Sequence, residues 1–141
     1  MEYLRSLSLG YNNFVGTIPT EILGIKHLTD FELNFNYLAG TIPPELFNSD
    51  DLILINLGGN SFTGSLPSEI GRVSVLQRLL LYSNQLSGSL PIELFQLESL
   101  SKFCAGGCAV WIFDLIILFQ QSDSQFSVVN GIVVVRLLGS K

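Results

Sequence analysis

Residue types able to do covalent or redox chemistry are scarce in this 141-residue chain. His27 is the only histidine, and it falls in a link between sequence units. It reads as a solvated loop residue rather than a general base, which needs a positioned proton donor or acceptor within hydrogen-bond reach. Cys104 and Cys108 are four apart, which misses the CxxC redox spacing. Two unreactive thiols are preferred here over a disulfide or a reactive pair. Gly106-Gly107 lacks the GxGxxG or Walker surroundings of a phosphate loop, and no HRD or DFG kinase signature occurs. The chain is therefore read as a binding protein and not an enzyme, with no cofactor and no metal expected.

Residues that could bind are placed by a repeat, and the repeat is plain. Proline stands at 19, 43, 67 and 91, glycine at 16, 40, 64 and 88, asparagine at 12, 36, 60 and 84, and leucine at 4, 28, 52, 76 and 100. All four residue types share a 24-residue period without a slip. The unit reads LxxLxLxxNxLxGxIPxxL, as in LTDFELNFNYLAGTIPPEL and LQRLLLYSNQLSGSLPIEL. The LxL pair points one way from a short strand and fills an interior. Phe14, Leu38, Phe62 and Leu86, each following an Asn, add to that interior. Asn12, Asn36, Asn60 and Asn84 sit where the chain leaves the strand, and stacking would align them as a structural ladder bonding to turn backbone. The glycine allows the bend that follows, the Ile/Leu-Pro pair favours an extended outer stretch, and Pro44-Glu45-Leu46-Phe47 suits one short helical turn. A single unit cannot bury its own apolar face, so the units must stack.

This pattern resembles the plant-specific leucine-rich repeat, whose mark is the GxIP segment, here also GxLP. Receptor-like kinases, receptor-like proteins and polygalacturonase-inhibiting proteins of plants carry it. The resemblance covers residues 1–108, as four full units and a degenerate fifth, starting at 4, 28, 52, 76 and 100. It implies an α/β repeat solenoid with a parallel concave β-sheet and a few short 3-10 or helical turns on the convex side. It also implies a peptide or protein ligand, with a co-receptor as a further partner, on the extracellular side of the plasma membrane. By register the concave face carries Ser6, Ser8, Gly10 and Tyr11, then Asp30, Glu32, Asn34 and Phe35, then Leu54, Asn56, Gly58 and Gly59, then Arg78, Leu80, Tyr82 and Ser83. Aromatic residues and arginine dominate binding hot spots. The candidate ligand-binding set is Tyr11, Asp30, Glu32, Asn34, Phe35, Asn56, Arg78, Leu80 and Tyr82. The plainer alternative is that each is an ordinary surface residue of a solenoid.

The chain begins inside its first unit and shows no signal-like start, family capping segment, membrane span or kinase domain. The expectation is a piece or truncated product of a larger receptor. The alternatives are an inhibitor of a cell-wall-degrading enzyme and a non-functional truncated product. A net charge of -5 argues against nucleic acid, which calls for a basic stripe.

In the fifth unit Phe103 and Ala105 take core positions, Cys104 the concave face, Cys108 the Asn position and Val110 the next apolar site. Ile112 then stands where glycine belongs and no proline follows. Residues 109–141 form a non-repeat, apolar C-terminal segment. The run 109–119, AVWIFDLIILF, is shorter than the ~20 residues of a membrane helix and contains Asp114. It is read as cover for the open end of the solenoid, with weak membrane contact as the alternative. Asn130-Gly131 between valine-rich flanks signals a hairpin, in a segment that is aggregation-prone if exposed.

Overall fold

A computed structural model of the chain describes residues 3–106 and the strand residues 110–111, 124–129 and 132–137. In chain order the strands are β1 (Ser6–Ser8), β2 (Val15–Gly16), β3 (Asp30–Glu32), β4 (Tyr37–Thr41), β5 (Leu54–Asn56), β6 (Ser61–Gly64), β7 (Arg78–Leu80), β8 (Gln85–Leu86), β9 (Gly88–Ser89), β10 (Lys102–Cys104), β11 (Val110–Trp111), β12 (Ser124–Val129) and β13 (Ile132–Leu137). Each 24-residue unit makes one coil. The LxL strand of every coil joins a first sheet, in the order β1-β3-β5-β7-β10-β11. The first five strands are parallel and in register, with Leu7, Phe31, Ile55, Leu79 and Phe103 aligned across the sheet.

That central row faces the core. Phe31, Ile55, Leu79 and Phe103 are fully buried, and so are Leu33, Leu57 and Leu81 one step further along. Burying one such side chain contributes roughly 1.5–3 kcal/mol, and the stack of coils makes those contributions continuous. The first coil is less well covered: Leu4, Leu7 and Leu9 are only partly buried, and Phe14 is 45% exposed. Phe14 thus departs from its expected core position, whereas Leu38, Phe62 and Leu86 keep it. Among the described residues the first coil has a strand neighbour on one side only, so its outer apolar side is less covered.

After the strand, the chain runs into a second parallel sheet, β2-β4-β6-β8, which the sequence reading describes only as an extended stretch. Glycines close or interrupt these short strands in left-handed backbone; Gly40 and Gly64 have φ of 86° and 77°. Each repeat proline is then held extended, with ψ between 129° and 143°, and opens a 3-10 turn: Thr20–Gly24, Pro44–Asn48, Ser68–Arg72 and Ile92–Gln96. Leu46, Ile70 and Leu94 on these turns close the core from the outside.

The fifth coil keeps the core expected of it, since Leu100, Phe103 and Ala105 are buried. Its continuation differs. Val110 does not carry the coil onward; β11 turns back and pairs antiparallel with β10, with Val110 opposite Phe103. This unit lacks the glycine and proline that lead the other coils outward. The hairpin signalled by Asn130-Gly131 forms, with Val129 opposite Ile132, and β12 pairs antiparallel with β9. The expectations for Cys108 and for residues 112–119 lie outside the described residues. No helix among those described is long and apolar enough to cross a membrane.

Candidate ligand-binding face

The ladder expected of the asparagines comes first, because it fixes the strand ends that carry the face. Asn60 Nδ2 donates to the carbonyls of Leu33 (3.0 Å), Leu57 (3.1 Å) and Gly58 (3.4 Å), while its Oδ1 accepts from the Leu38 amide at 3.1 Å. Asn36 and Asn84 repeat the pattern, accepting from the amides of Phe14 and Phe62. Each side chain ties its own coil to the one before it. Asn12, on the first coil, is exposed, and its side chain donates to Leu9 and Gly10 of its own coil.

Just before each ladder residue the backbone turns left-handed. The equivalent positions are Tyr11, Phe35, Gly59 and Ser83, with φ of 56°, 52°, 67° and 51°. Only one of the four is glycine. For a residue with a Cβ this conformation costs on the order of 1–2 kcal/mol, so two aromatic rings are carried at positions the backbone would rather give to glycine.

Three of the candidate residues meet there. Tyr11 and Phe35 stack, with ring centroids 4.7 Å apart at 24°. Phe35 and Tyr82 follow at 6.0 Å and 57°. Phe35 belongs to the second coil and Tyr82 to the fourth, so they meet across the third. That crossing is possible because the third coil has Gly58-Gly59. A Cβ on Gly59 would stand 2.7 Å from Phe35 Cδ1, and one on Gly58 would run into the Tyr82 ring. The rings occupy the space that side chains would take. Tyr11 remains 78% exposed and Phe35 42%, and Tyr82 is half-buried. Burial raises the Tyr82 phenol above its ordinary pKa of 10.0, helped by Tyr11, Cys104 and Glu32, while a hydrogen bond with the Asn56 side chain acts the other way.

The remaining candidates divide. Asp30 and Glu32 are half-buried on β3, Arg78 is exposed and Leu80 half-buried on β7. Asn34 and Asn56 point to the expected side but are buried, so they do not present an open polar surface. Asn34 lies over Gly10, where a Cβ would meet its Oδ1. Asn56 is drawn into local bonds, accepting from the Gly58 amide at 3.3 Å and reaching Glu32 Oε2 at 3.4 Å. Leu54 and Cys104 are likewise buried rather than displayed. Lys102, which register aligns with Arg78, belongs to this face and was not among the sequence candidates. The signal for it was the same two-residue alternation, carried into the degenerate fifth unit. His27 lies away from the rings, largely exposed, with Nδ1 2.7 Å from Asp51 Oδ2 on the next coil.

A family model described as Leucine Rich Repeat matches residues 3–25, 51–73 and 75–97. Among solved structures, a TDR receptor superposes with a TM-score of 0.68 at 37% identity, covering 70% of this chain and 17% of that one. The chain folds as a leucine-rich-repeat solenoid, and its repeats match those of plant receptor ectodomains. The plant peptide hormone receptor RGFR1, in complex with RGF2, gives a TM-score of 0.69 at 41% identity over 71% of this leucine-rich-repeat chain and 16% of the receptor. The BIR3–SERK2 complex from Arabidopsis thaliana gives 0.69 at 32%, over 72% of this chain and 54% of that one. The repeats thus span well under two thirds of the receptor chains they match. No curated protein matches the sequence.

Proposed function

We propose that this leucine-rich-repeat chain is a non-catalytic binding module that takes an extended peptide, or a segment of a partner protein, on its concave face. The observation that carries the reading is the solvent-open array Tyr11–Phe35–Tyr82 laid over Gly58-Gly59. Rings of this kind bring large contact area with little entropy to lose, and two of them are held at a backbone cost that glycine would avoid. Asp30, Glu32, Arg78 and Leu80 extend the face beside the array, and Asn34 and Asn56 set its floor. The solved relatives support the reading, since one is the plant peptide hormone receptor RGFR1 in complex with RGF2 and another the BIR3–SERK2 complex. On the same grounds we place the module on the extracellular side of the plasma membrane, as a segment of a longer receptor with which a co-receptor would assemble.

The test is selection of a displayed 12-residue random peptide library on the immobilised full chain, followed by affinity measurement against Phe35→Gly and Tyr82→Ala. Truncating a hot-spot residue costs about 2 kcal/mol or more, so captured peptides should weaken about 30-fold. Phe35→Gly suits this purpose because it removes the ring and the strained Cβ together. It should be more stable than Phe35→Ala by about 1 kcal/mol, the reverse of the usual order, in urea unfolding. Peptides captured with equal affinity by all three proteins would place binding elsewhere.

A further inference from the structure

Resting on the concave-face reading above, we infer that the ligand is a peptide carrying a basic side chain and an acidic group three residues apart, lying across the strands with an apolar stretch between them. Register decides the arrangement. One row on the concave side runs Ser6, Asp30, Leu54, Arg78, Lys102, and the next runs Ser8, Glu32, Asn56, Leu80, Cys104. Both acids of these rows stand on β3 and both bases on β7 and β10. Between them lie only uncharged residues, with Leu54 and Asn56 buried as a floor. Charge is therefore separated along the solenoid axis instead of being interleaved.

Among the described residues none of the four charged groups is held in an ion pair. The ion pair present among the described residues is His27–Asp51, on a different surface. Asp30 accepts a hydrogen bond from the neighbouring Thr29 hydroxyl, and Glu32 has the long contact with Asn56, so each acid has a held position and, among the described residues, no cation paired with it. Adjacent strands lie about 4.8 Å apart, which puts the acidic strand and the first basic strand about 10 Å from each other. A peptide in the polyproline II conformation advances about 3.1 Å per residue and returns every third side chain to the same face. A cation over Asp30 and Glu32 thus leaves an anion three residues away over Arg78, with Lys102 on the next strand adding to the same positive end. The intervening residues cross coil three, whose Gly58-Gly59 edge holds Phe35 and Tyr82 for an apolar side chain. A uniformly basic or uniformly acidic ligand would meet like charge at one end, which complementary interfaces avoid.

The test reads the sequences selected by the same displayed library on the full chain. Peptides from the wild-type protein should be enriched in a Lys or Arg and an Asp or Glu at i and i+3, in either chain direction. The double substitution Asp30→Lys and Glu32→Lys should weaken those peptides about tenfold or more and enrich peptides acidic at both positions. The opposite pair, Arg78→Glu and Lys102→Glu, should enrich peptides basic at both. Using both ends keeps the result readable if one variant folds poorly, and circular dichroism reports which have folded. Captured peptides that depend on Phe35 but show no paired-charge pattern, or a pattern unmoved by either swap, overturn the inference and leave the concave-face reading intact. A library with no peptide dependent on Phe35 contradicts both.

Discussion

Asn60 uses one amide to satisfy backbone groups of two coils that no strand partner reaches. A buried donor or acceptor left unsatisfied costs about 1–3 kcal/mol. Asn60→Ala strands the buried Leu38 amide, while the Leu33 and Leu57 carbonyls keep the Asn36 and Asn84 side chains, so urea unfolding should show a loss of about 1–3 kcal/mol. Asn12→Ala should lose less than about 1 kcal/mol, because its bonds are exposed and within one coil. Tyr82 supplies a second residue-level test. Its folded-state pKa is raised above 10.0, chiefly by burial, so the unfolded chain gives up the phenolic proton first. Stability from this group is complete below the unfolded value and is lost as pH rises through the folded one. Between about pH 9 and 11, the wild type should lose more unfolding free energy than Tyr82→Phe. The Asn positions were legible because a polar residue recurring among leucines at a fixed period has few other uses. The left-handed turn one residue earlier was not, since Tyr11, Phe35 and Ser83 hide what Gly59 alone would suggest. Nor could register reveal that Asn34 and Asn56 are covered. It gives the direction of a side chain, while cover depends on Gly10, Glu32 and Gly58 in space.

The elements were legible in proportion to how much apolar pattern they carry. The first-sheet strands announce themselves through LxL, and the 3-10 turns through the proline that starts each one. The second sheet is silent by the same standard. Its strands run from two to five residues and contain the Gly, Ser and Thr that usually mark turns. They pair because the coils on either side already hold them at strand spacing. Gly64 shows the constraint: it has φ of 77°, and a Cβ there would lie 3.1 Å from Thr41 Cγ2. Gly64→Ala should therefore cost about 1–2 kcal/mol. Gly24→Ala, with nothing within 4 Å of the new Cβ, should be neutral or slightly stabilising in the same unfolding assay. The dipeptide Asn130-Gly131 pointed to a hairpin, but its docking on β9 could not be read, because the Gly88–Ser89 edge that receives it carries no side-chain pattern.

At the scale of the whole molecule, stacking converts a one-dimensional period into a surface. Residues 24 apart become neighbours on adjacent strands, so a ring in the second coil can reach one in the fourth over a glycine pair in the third. Repeats contact only their neighbours, which makes such a solenoid quasi-one-dimensional, and the face is built from local choices made coil by coil. Acid on β3 and base on β7 and β10 give that face a polarity along the axis that no single coil has alone. Hydrogen exchange of the full chain, with and without a peptide captured by it, tests the central claim most directly. The account predicts slowed exchange at residues 10–12, 34–36, 58–60 and 82–84, with the 3-10 turns at Thr20–Gly24, Pro44–Asn48, Ser68–Arg72 and Ile92–Gln96 unchanged. Protection confined to those turns, with the ring-bearing edge unaffected, would contradict it.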